Sequence, residues 1–256
     1  MSRDRSHIMN DQLLKQMQNA IKETVLEKKI GIAFSGGVDS SLTAKICSDL
    51  GYQVILLTIG FEGSHDIMFS KKINEFLKLP HQTLEIDEKN FNEIFKKINQ
   101  KINTDNLSWN ENCIAFYYVA KLAKKMNLNS VVTGNGIDEL FCGYNAYRDA
   151  IKNGELKVQE LMNLKLDNEL KMMKAVNNIS SEFGIRIIQP LLSEIFINYA
   201  KKLPVSQKIK NSDDLIRKHI IRKLASDIGL PEVCANQRKK ALQYGSLIHK
   251  ALIKSR

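Results

Sequence analysis

The sequence has few cysteines, few prolines and no long apolar run. Its four cysteines, Cys47, Cys113, Cys142 and Cys234, lie far apart without paired spacing, which argues against a zinc site and a disulfide framework. No run of about eighteen apolar residues occurs, so a membrane-spanning helix is not expected. The first residues lack the apolar stretch of a secretory signal, and we therefore expect a cytoplasmic protein.

Basic residues outnumber acidic ones, and the formal net charge is +10. An excess of this size can indicate a polyanionic partner. The lysines, however, are spread along the chain in pairs such as Lys28-Lys29 and Lys96-Lys97, as on solvated helix faces. No basic tract interleaved with aromatic residues is present. Binding of nucleic acid therefore stays an alternative, and a less favoured one.

The most informative segment follows the apolar run 30–34 and is called loop 1 here. It reads Ser35-Gly36-Gly37-Val38-Asp39-Ser40-Ser41. A strand, a glycine turn and a helix N-terminus present backbone N–H groups to an anion. Ser and Asp could simply cap the helix, but a cap needs one such residue, and all positions of loop 1 except Val38 are Gly, Ser or Asp. Asp39 suits a bound Mg²⁺ better than a bare phosphate, so loop 1 indicates a metal-bound polyphosphate.

Hydrophobic periodicity predicts strands that alternate with helices in the first half of the chain. The predicted strands are 30–34, 53–59, 81–86 and 131–133, and the predicted helices are 13–25, 42–50, 66–77, 88–98 and 111–126. This order is typical of an α/β fold with a parallel, doubly wound sheet, in which ligands bind beyond the carboxyl ends of the strands. From about residue 150 helical patterns dominate, most clearly over 161–179 and 212–228. We expect a disordered leader or an expression remnant over 1–10, an α/β domain over 11–150, and a helical region over 151–256 that completes the active site.

A second glycine-bearing segment, called loop 2 here, follows the fourth predicted strand. It reads Thr133-Gly134-Asn135-Gly136-Ile137-Asp138-Glu139-Leu140-Phe141-Cys142-Gly143-Tyr144. Acidic residues in a first helical turn can merely complement the helix dipole. That explanation does not account for two glycines around Asn135 at the end of a strand. Asp39 and Asp138 together would supply the carboxylates that Mg²⁺ usually takes from a protein.

These segments resemble known signatures. Loop 1 resembles the pyrophosphate (PP) loop of the ATP pyrophosphatase superfamily. Loop 2 is similar to the second signature of the asparagine synthetase C-terminal domain, a family that includes β-lactam synthetases. Segments 59–66, 189–192 and 238–246 resemble, in order, the adenine-side loop, a weakened Pro-Phe-Leu-Asp segment with Ser193 in place of Asp, and the lysine-bearing loop. The resemblance implies an adenine nucleotide alpha hydrolase-like fold.

The resemblance also implies roles for individual residues. The pyrophosphate half of ATP would contact Ser35, Gly36, Gly37, Asp39, Ser40 and Ser41. The backbone at Ala33 and Ile59 would flank the adenine, and Thr133 and Gly134 would lie near the ribose and the α-phosphate. Asp39 and Asp138 would ligate Mg²⁺. Lys240 would neutralise charge as an adenylate forms and breaks, with Lys239 as the alternative if the register shifts by one, although a lysine pair can also be a surface feature.

Loop 2 departs from the family pattern at two positions. Asn135 stands where the family usually has Glu, or Gln in some shorter relatives, and Asn cannot act as a general base, although it can hydrogen-bond a substrate. Ile137 replaces a small polar residue. We keep Asn135 among the expected catalytic residues, with Lys240 and Asp138, but these changes put aspartate as the substrate in doubt.

The sequence therefore predicts an ATP- and Mg²⁺-dependent ligase that adenylates a carboxylate and passes it to ammonia or another amine. Glutamine-dependent relatives carry an amidotransferase domain whose cysteine follows the initiator Met, whereas Ser2 is found here. We thus expect free ammonia, another amine, or ammonia from a separate glutaminase subunit. Two alternatives remain: a tRNA-modifying enzyme of the same superfamily, and a nucleotide-binding protein without catalysis.

Overall fold

The computed structural model describes residues 5–237 and 242–254. Its strands are β1 (Lys29–Ala33), β2 (Gln53–Gly60), β3 (His81–Glu85), β4 (Ser130–Val132) and β5 (Arg186–Ile188). Its helices are α1 (Arg5–Thr24), α2 (Val38–Asp49), α3 (His65–Leu77), α4 (Glu88–Ile102), α5 (Leu107–Lys125), α6 (Ile137–Leu140), α7 (Ala146–Lys152), α8 (Glu155–Ser180), α9 (Glu194–Lys202), α10 (His219–Asp227), α11 (Glu232–Ala235), α12 (Leu242–Gly245) and α13 (Ile248–Lys254). Short 3-10 turns occur at Ser181–Phe183, Pro190–Leu192 and Val205–Gln207.

The strands form one parallel sheet in the order β3-β2-β1-β4-β5. In the centre, Ile32 of β1 lies opposite Leu56 of β2 and Val132 of β4. All three side chains are fully buried, as expected for a parallel sheet that is covered on both faces. The predicted α/β fold with a parallel sheet is therefore confirmed.

Two groups of helices flank this sheet. Helix α2 packs on β1 and β2 and contacts α1, α10 and α11. Helix α5 packs on β2, β3 and β4 and contacts α4, α8, α12 and α13. Within the described ranges, no helix has an apolar stretch long enough to cross a membrane.

Three expectations from the sequence are wrong in detail. Residues 5–10, expected to belong to a disordered leader, form the first turns of α1, and the buried Asn10 donates a hydrogen bond to Asp227 Oδ2 at 2.6 Å. The C-terminal half supplies a strand, β5, which no glycine-bearing loop follows to mark its end. The helix predicted over 212–228 begins only at His219, because the carboxylate of Asp214 accepts backbone hydrogen bonds that form a turn before it. The domain division near residue 150 stays a prediction.

Loops 1 and 2 meet at the point where the strand order reverses. They follow β1 and β4, which are neighbours in the sheet and run parallel. Ligands of open α/β sheets bind at such a reversal, beyond the carboxyl ends of the strands. The contact between the loops is close, since a Cβ atom added to Gly134 would lie 3.1 Å from the carbonyl oxygen of Asp39. The sheet topology thus brings the two glycine-bearing loops to one crevice.

Candidate active site

Loop 1 is a tight turn that leads directly into α2. The hydroxyl of Ser40 accepts a hydrogen bond from the backbone N–H of Ser35 at 3.3 Å and donates one to the carbonyl of Gly37 at 3.1 Å. The backbone N–H of Gly37 donates to Ser35 Oγ at 3.3 Å. These serines hold the turn at the N-terminus of a helix of twelve residues, where anions are favoured.

Loop 2 is held by its own acidic and aromatic residues. Glu139 is buried, and it accepts hydrogen bonds from the backbone N–H of Gly136 at 3.1 Å and from the hydroxyl of Tyr144. Burial, reinforced by Glu139, Asp138 and Glu169, holds the pKa of Tyr144 well above its usual range, so that this hydroxyl stays a donor. The hydroxyl of Tyr147 donates to the carbonyl of Glu139 at 2.6 Å. Glu139 therefore acts as the internal anchor of the loop.

The carboxylates of Asp39 and Asp138 converge on one cation, the ammonium of Lys218. Its Nζ atom lies 2.5 Å from Asp39 Oδ2 and 2.6 Å from Asp138 Oδ1. Lys218 is 1% exposed. Burial alone would lower its pKa, but the two carboxylates outweigh that effect and raise the pKa of Lys218 above its usual value. A Cβ atom on Gly143 would collide with Asp138 and Lys218, so this glycine makes room for the ion pair.

The pair of aspartates suits a divalent cation of the hard, oxygen-seeking type. Mg²⁺ usually takes one or two carboxylates from a protein and completes its shell with phosphate oxygens and water. In the part of the chain that the structure describes, no group of three or more His, Cys, Asp and Glu side chains could enclose a metal by itself. A metal at Asp39 and Asp138 would therefore depend on ligands from a bound phosphate.

Lys218 is placed by the turn that precedes α10. Asp214 accepts hydrogen bonds from the backbone N–H of Lys210 at 2.9 Å and of Arg217 at 2.9 Å, and its Oδ2 lies 2.6 Å from His219 Nε2. Both Arg217 and Lys218 adopt the left-handed conformation, with φ of 53° and 54°. Such a conformation is costly for residues with a side chain, so the surrounding contacts must hold it. The guanidinium of Arg217 does so by donating to the carbonyl of Gly143 in loop 2 at 3.1 Å.

One cavity brings most of the predicted site residues together. Those that line it are Ala33, Ser35, Gly37, Asp39, Ser40, Ile59, Thr133, Gly134, Asn135 and Asp138. Gly36 and Ser41 are buried in loop 1 and do not line the cavity. The roles assigned to all of these residues remain predictions.

Lys239 and Lys240 lie outside the described residues, so their predicted roles stay predictions. The residues on either side of them reach the same cavity, since Gln237 and Leu242 both line it. Arg222 holds the segment before them by donating to the carbonyl of Ala235 at 2.6 Å and to that of Gln237 at 2.9 Å.

Sequence reasoning missed several residues of the cavity, above all Lys218. One face of α8 also lines the cavity, through Lys165, Asn168, Glu169 and Met172. Their spacing in the sequence predicts that these four side chains share one face of a helix. It does not predict that this face lines the cavity. His65 and Asp66, at the start of α3, also line the cavity, and the adenine-side role expected for segment 59–66 stays a prediction.

The model of the asparagine synthase family matches this chain over residues 12–178 and 151–254. The chain belongs to the asparagine synthase family. The resemblance drawn from loops 1 and 2 is thereby confirmed at the level of the family.

Individual relatives are more distant. A protein of Methanocaldococcus jannaschii, named as a candidate glutamine-hydrolyzing asparagine synthetase 1, is 29% identical over an alignment of 266 residues, gaps included, which covers 90% of this chain and 49% of that protein. The glutamine-hydrolyzing asparagine synthetase 1 of Arabidopsis thaliana is 26% identical over an alignment of 218 residues, which covers 81% of this chain and 37% of that protein. The chain thus spans half or less of the length of these relatives. Among solved structures, NMN synthetase from Francisella tularensis matches 93% of this chain and 77% of that chain, with 15% identity and a TM-score of 0.49.

Proposed function

We propose that this chain is an ATP-dependent ligase that adenylates a carboxylate, releases pyrophosphate, and transfers the acyl group to ammonia or another amine. Membership of the asparagine synthase family supports an enzyme of this general type. The observation that carries the proposal is the convergence of Asp39 and Asp138 on one cation, at the carboxyl ends of two neighbouring strands. Beside a helix N-terminus, this arrangement suits a strongly anionic, cation-bound ligand.

The residues fit an ATP molecule that lies across the sheet edge. Loop 1 would bind the pyrophosphate half through its N–H groups and the hydroxyls of Ser35 and Ser40. Ala33 and Ile59 would flank the adenine. Mg²⁺, held by Asp39 and Asp138, would neutralise charge on the phosphate oxygens. The ammonium of Lys218, which the metal would displace from the two carboxylates, would then serve as a second cation for the departing pyrophosphate.

The reaction then proceeds in two displacements. In the first, a carboxylate oxygen of the substrate attacks the α-phosphorus of ATP, and pyrophosphate leaves. In the second, an amine attacks the carbonyl carbon of the acyl-adenylate, and AMP leaves. The serine hydrogen bonds of loop 1 fix the turn before the reaction begins, so that little reorganisation of this loop is needed as charge develops. The amine would come from free ammonia, another amine, or a separate glutaminase subunit.

ATP–pyrophosphate exchange with a panel of carboxylic acids tests this proposal. Only a cognate acid should support exchange in the wild-type chain. Asp39→Asn should lower that exchange by about 100-fold or more, because it removes a ligand of the nucleotide-bound cation. Asp49→Asn is the matched control, since Asp49 lies on the same helix and pairs with Lys45 on the surface.

Exchange that survives unchanged in Asp39→Asn would refute the proposed site. Binding of ATP to the wild-type chain without exchange for any acid would instead favour the non-catalytic alternative. Lys240→Ala and Lys239→Ala complete the series. We expect loss of exchange in Lys240→Ala alone, and loss only in Lys239→Ala would show that the register of the lysine-bearing loop is shifted by one.

A further inference from the structure

One buried thiol lies directly behind loop 1. Cys234, on α11, is fully buried and does not line the cavity. A buried cysteine most often serves as a small apolar residue of the core. Here the thiol also makes a polar contact, because Cys234 Sγ donates a hydrogen bond to the carbonyl oxygen of Gly36 at 3.4 Å. Helix α11 and the turn of loop 1 are thereby joined at one point.

The carbonyl oxygen of Gly36 depends on this contact. Gly36 is buried, and across the described ranges its carbonyl accepts no hydrogen bond from a backbone N–H, since the first bond of α2 runs from Ser41 to the carbonyl of Gly37. A buried carbonyl without a donor is costly. Burial raises the pKa of Cys234 to about 11, so the thiol keeps its proton at neutral pH and remains a donor.

The peptide unit between Gly36 and Gly37 could otherwise turn either way. A trans peptide directs its carbonyl and its N–H to opposite sides. The φ of Gly36 is +80° and that of Gly37 is −66°, and neither residue has a Cβ atom to oppose rotation of the peptide plane between them. A thiol is a weak donor, but the two orientations of this peptide differ little in steric cost. A weak bond therefore suffices to select one of them.

The selected orientation presents the N–H of Gly37 to the cavity. The carbonyl of Gly36 faces Cys234, whereas the N–H of Gly37 donates to Ser35 Oγ at 3.3 Å, and both Ser35 and Gly37 line the cavity. In the opposite orientation a carbonyl oxygen would face the position proposed for the pyrophosphate half of ATP. Backbone N–H groups attract phosphate oxygens and carbonyl oxygens repel them. The orientation of one peptide thus decides whether this part of loop 1 attracts the ligand.

We propose that Cys234 is a positioning residue for the pyrophosphate half of the nucleotide, because its thiol holds the Gly36–Gly37 peptide with the N–H toward that group. This inference rests on the proposed function, which places the pyrophosphate half at loop 1. The thiol touches neither the ligand nor the reacting atoms, and no bond to sulfur forms or breaks. Its effect is confined to ligands that carry the β- and γ-phosphates. AMP lacks them and binds independently of the peptide orientation.

Cys234→Val tests the inference, because it removes the donor and keeps an apolar side chain of similar size. The carbonyl of Gly36 then lacks a partner in the interior, and a flip of the peptide would turn it into the cavity. In isothermal titration calorimetry, we expect Mg·ATP to bind about tenfold more weakly than to the wild-type chain, and AMP to bind within about twofold of it. Cys234→Ser keeps a hydroxyl donor and should restore most of the affinity for Mg·ATP.

Cys47→Val is the matched control. Cys47 is another fully buried thiol, it lies on the helix that begins at loop 1, and it does not line the cavity. The control variant should bind both nucleotides like the wild type. If either valine variant fails to fold, the alanine pair Cys234→Ala and Cys47→Ala replaces it, because alanine adds no atoms to the interior.

Equal weakening of Mg·ATP and AMP in Cys234→Val would mean general damage and would overturn the inference. Unchanged affinity for Mg·ATP, the same selective loss in Cys47→Val, or no recovery in Cys234→Ser would overturn it as well. In each of these cases, a wild-type chain that binds Mg·ATP more tightly than AMP leaves the proposed function standing. A wild-type chain that binds the two nucleotides equally would remove the phosphate site of loop 1 and the inference with it.

Discussion

The ammonium nitrogen of Lys218 lies 2.5 Å from a carboxylate oxygen of Asp39, although the two residues are 179 positions apart in the chain. Asp138 closes the same ion pair from the other loop at 2.6 Å. The protein thereby supplies its own cation at the point where a metal-bound nucleotide is proposed to bind. A Mg²⁺ ion that uses these two carboxylates must compete with Lys218 for them, and binding of metal and movement of the lysine are then coupled.

Replacing Lys218 with Met tests this competition. The variant removes the buried cation that the two carboxylates share, which we expect to destabilise the metal-free protein by about 3 kcal/mol. Mg²⁺ should restore part of that stability, because it binds the folded state and not the unfolded chain. The measurement is the unfolding temperature with and without MgCl₂, at an ionic strength matched with NaCl.

The wild-type chain should respond to the same MgCl₂ much more weakly, since its own ammonium occupies the carboxylates. Lys223→Met serves as the control, because Lys223 lies on α10 and is 3.8 Å from Asp227 at the surface. Its unfolding temperature should follow that of the wild type in both buffers. An identical Mg²⁺ response in Lys218→Met and wild type would contradict the competition.

The loops of the site could be predicted from the sequence because their chemistry is local. Loop 1 has Gly, Ser and Asp at nearly all of its positions and follows an apolar run. Loop 2 likewise combines glycines with polar and acidic residues, and it follows β4. Lys218 and Glu169 could not be predicted in this way. The sequence around each of these two residues has the helical or basic pattern of an ordinary protein surface. Their position in the cavity results from tertiary packing, which this pattern does not show. Strand β5 has three residues, as β4 does, and it was missed because no glycine-bearing loop follows it to mark its end.

Asp214 should make the protein's stability depend on pH in the acid range. Burial opposes ionisation of its carboxyl group, but hydrogen bonds from Arg217, Lys210 and His219 outweigh burial and lower its pKa to about 2, from an ordinary 3.8. A carboxyl group whose pKa is depressed in the folded state stabilises that state above the unfolded pKa, and the effect is lost as the pH falls through the folded pKa. Asp214→Asn should therefore cost about 2 kcal/mol at pH 7.

The difference in unfolding free energy between wild type and Asp214→Asn should stay constant from pH 7 to about 4 and shrink toward pH 2. Urea unfolding at a series of pH values measures it. Because the same turn places Lys218, the variant should also show weaker exchange at neutral pH. Asp213→Asn, at the exposed neighbouring position, should match the wild type in both assays. A difference that does not change below pH 4 would show that the charge of Asp214 is not what stabilises the turn.

The close contact between loops 1 and 2 predicts different outcomes for two glycine substitutions. A Cβ atom on Gly134 would lie 3.1 Å from the carbonyl oxygen of Asp39 and 3.2 Å from Thr43 Oγ1, so Gly134→Ala must push the loops apart by a few tenths of an ångström. We expect it to cost about 1 kcal/mol of stability and to lower exchange on the order of tenfold. Gly51→Ala meets no atom within 4 Å, but its φ of +83° makes an alanine there cost about 1 kcal/mol as well.

Gly51 follows α2 in a turn away from the cavity, so Gly51→Ala should lose stability and keep exchange. Both variants should thus lose a similar amount of unfolding free energy, and they differ in whether the substituted glycine lies at the cavity or away from it. Denaturant unfolding and ATP–pyrophosphate exchange on the same preparations make the comparison. Equal exchange in both would mean that the spacing of Asp39 from loop 2 has no part in the reaction, because only Gly134→Ala alters that spacing.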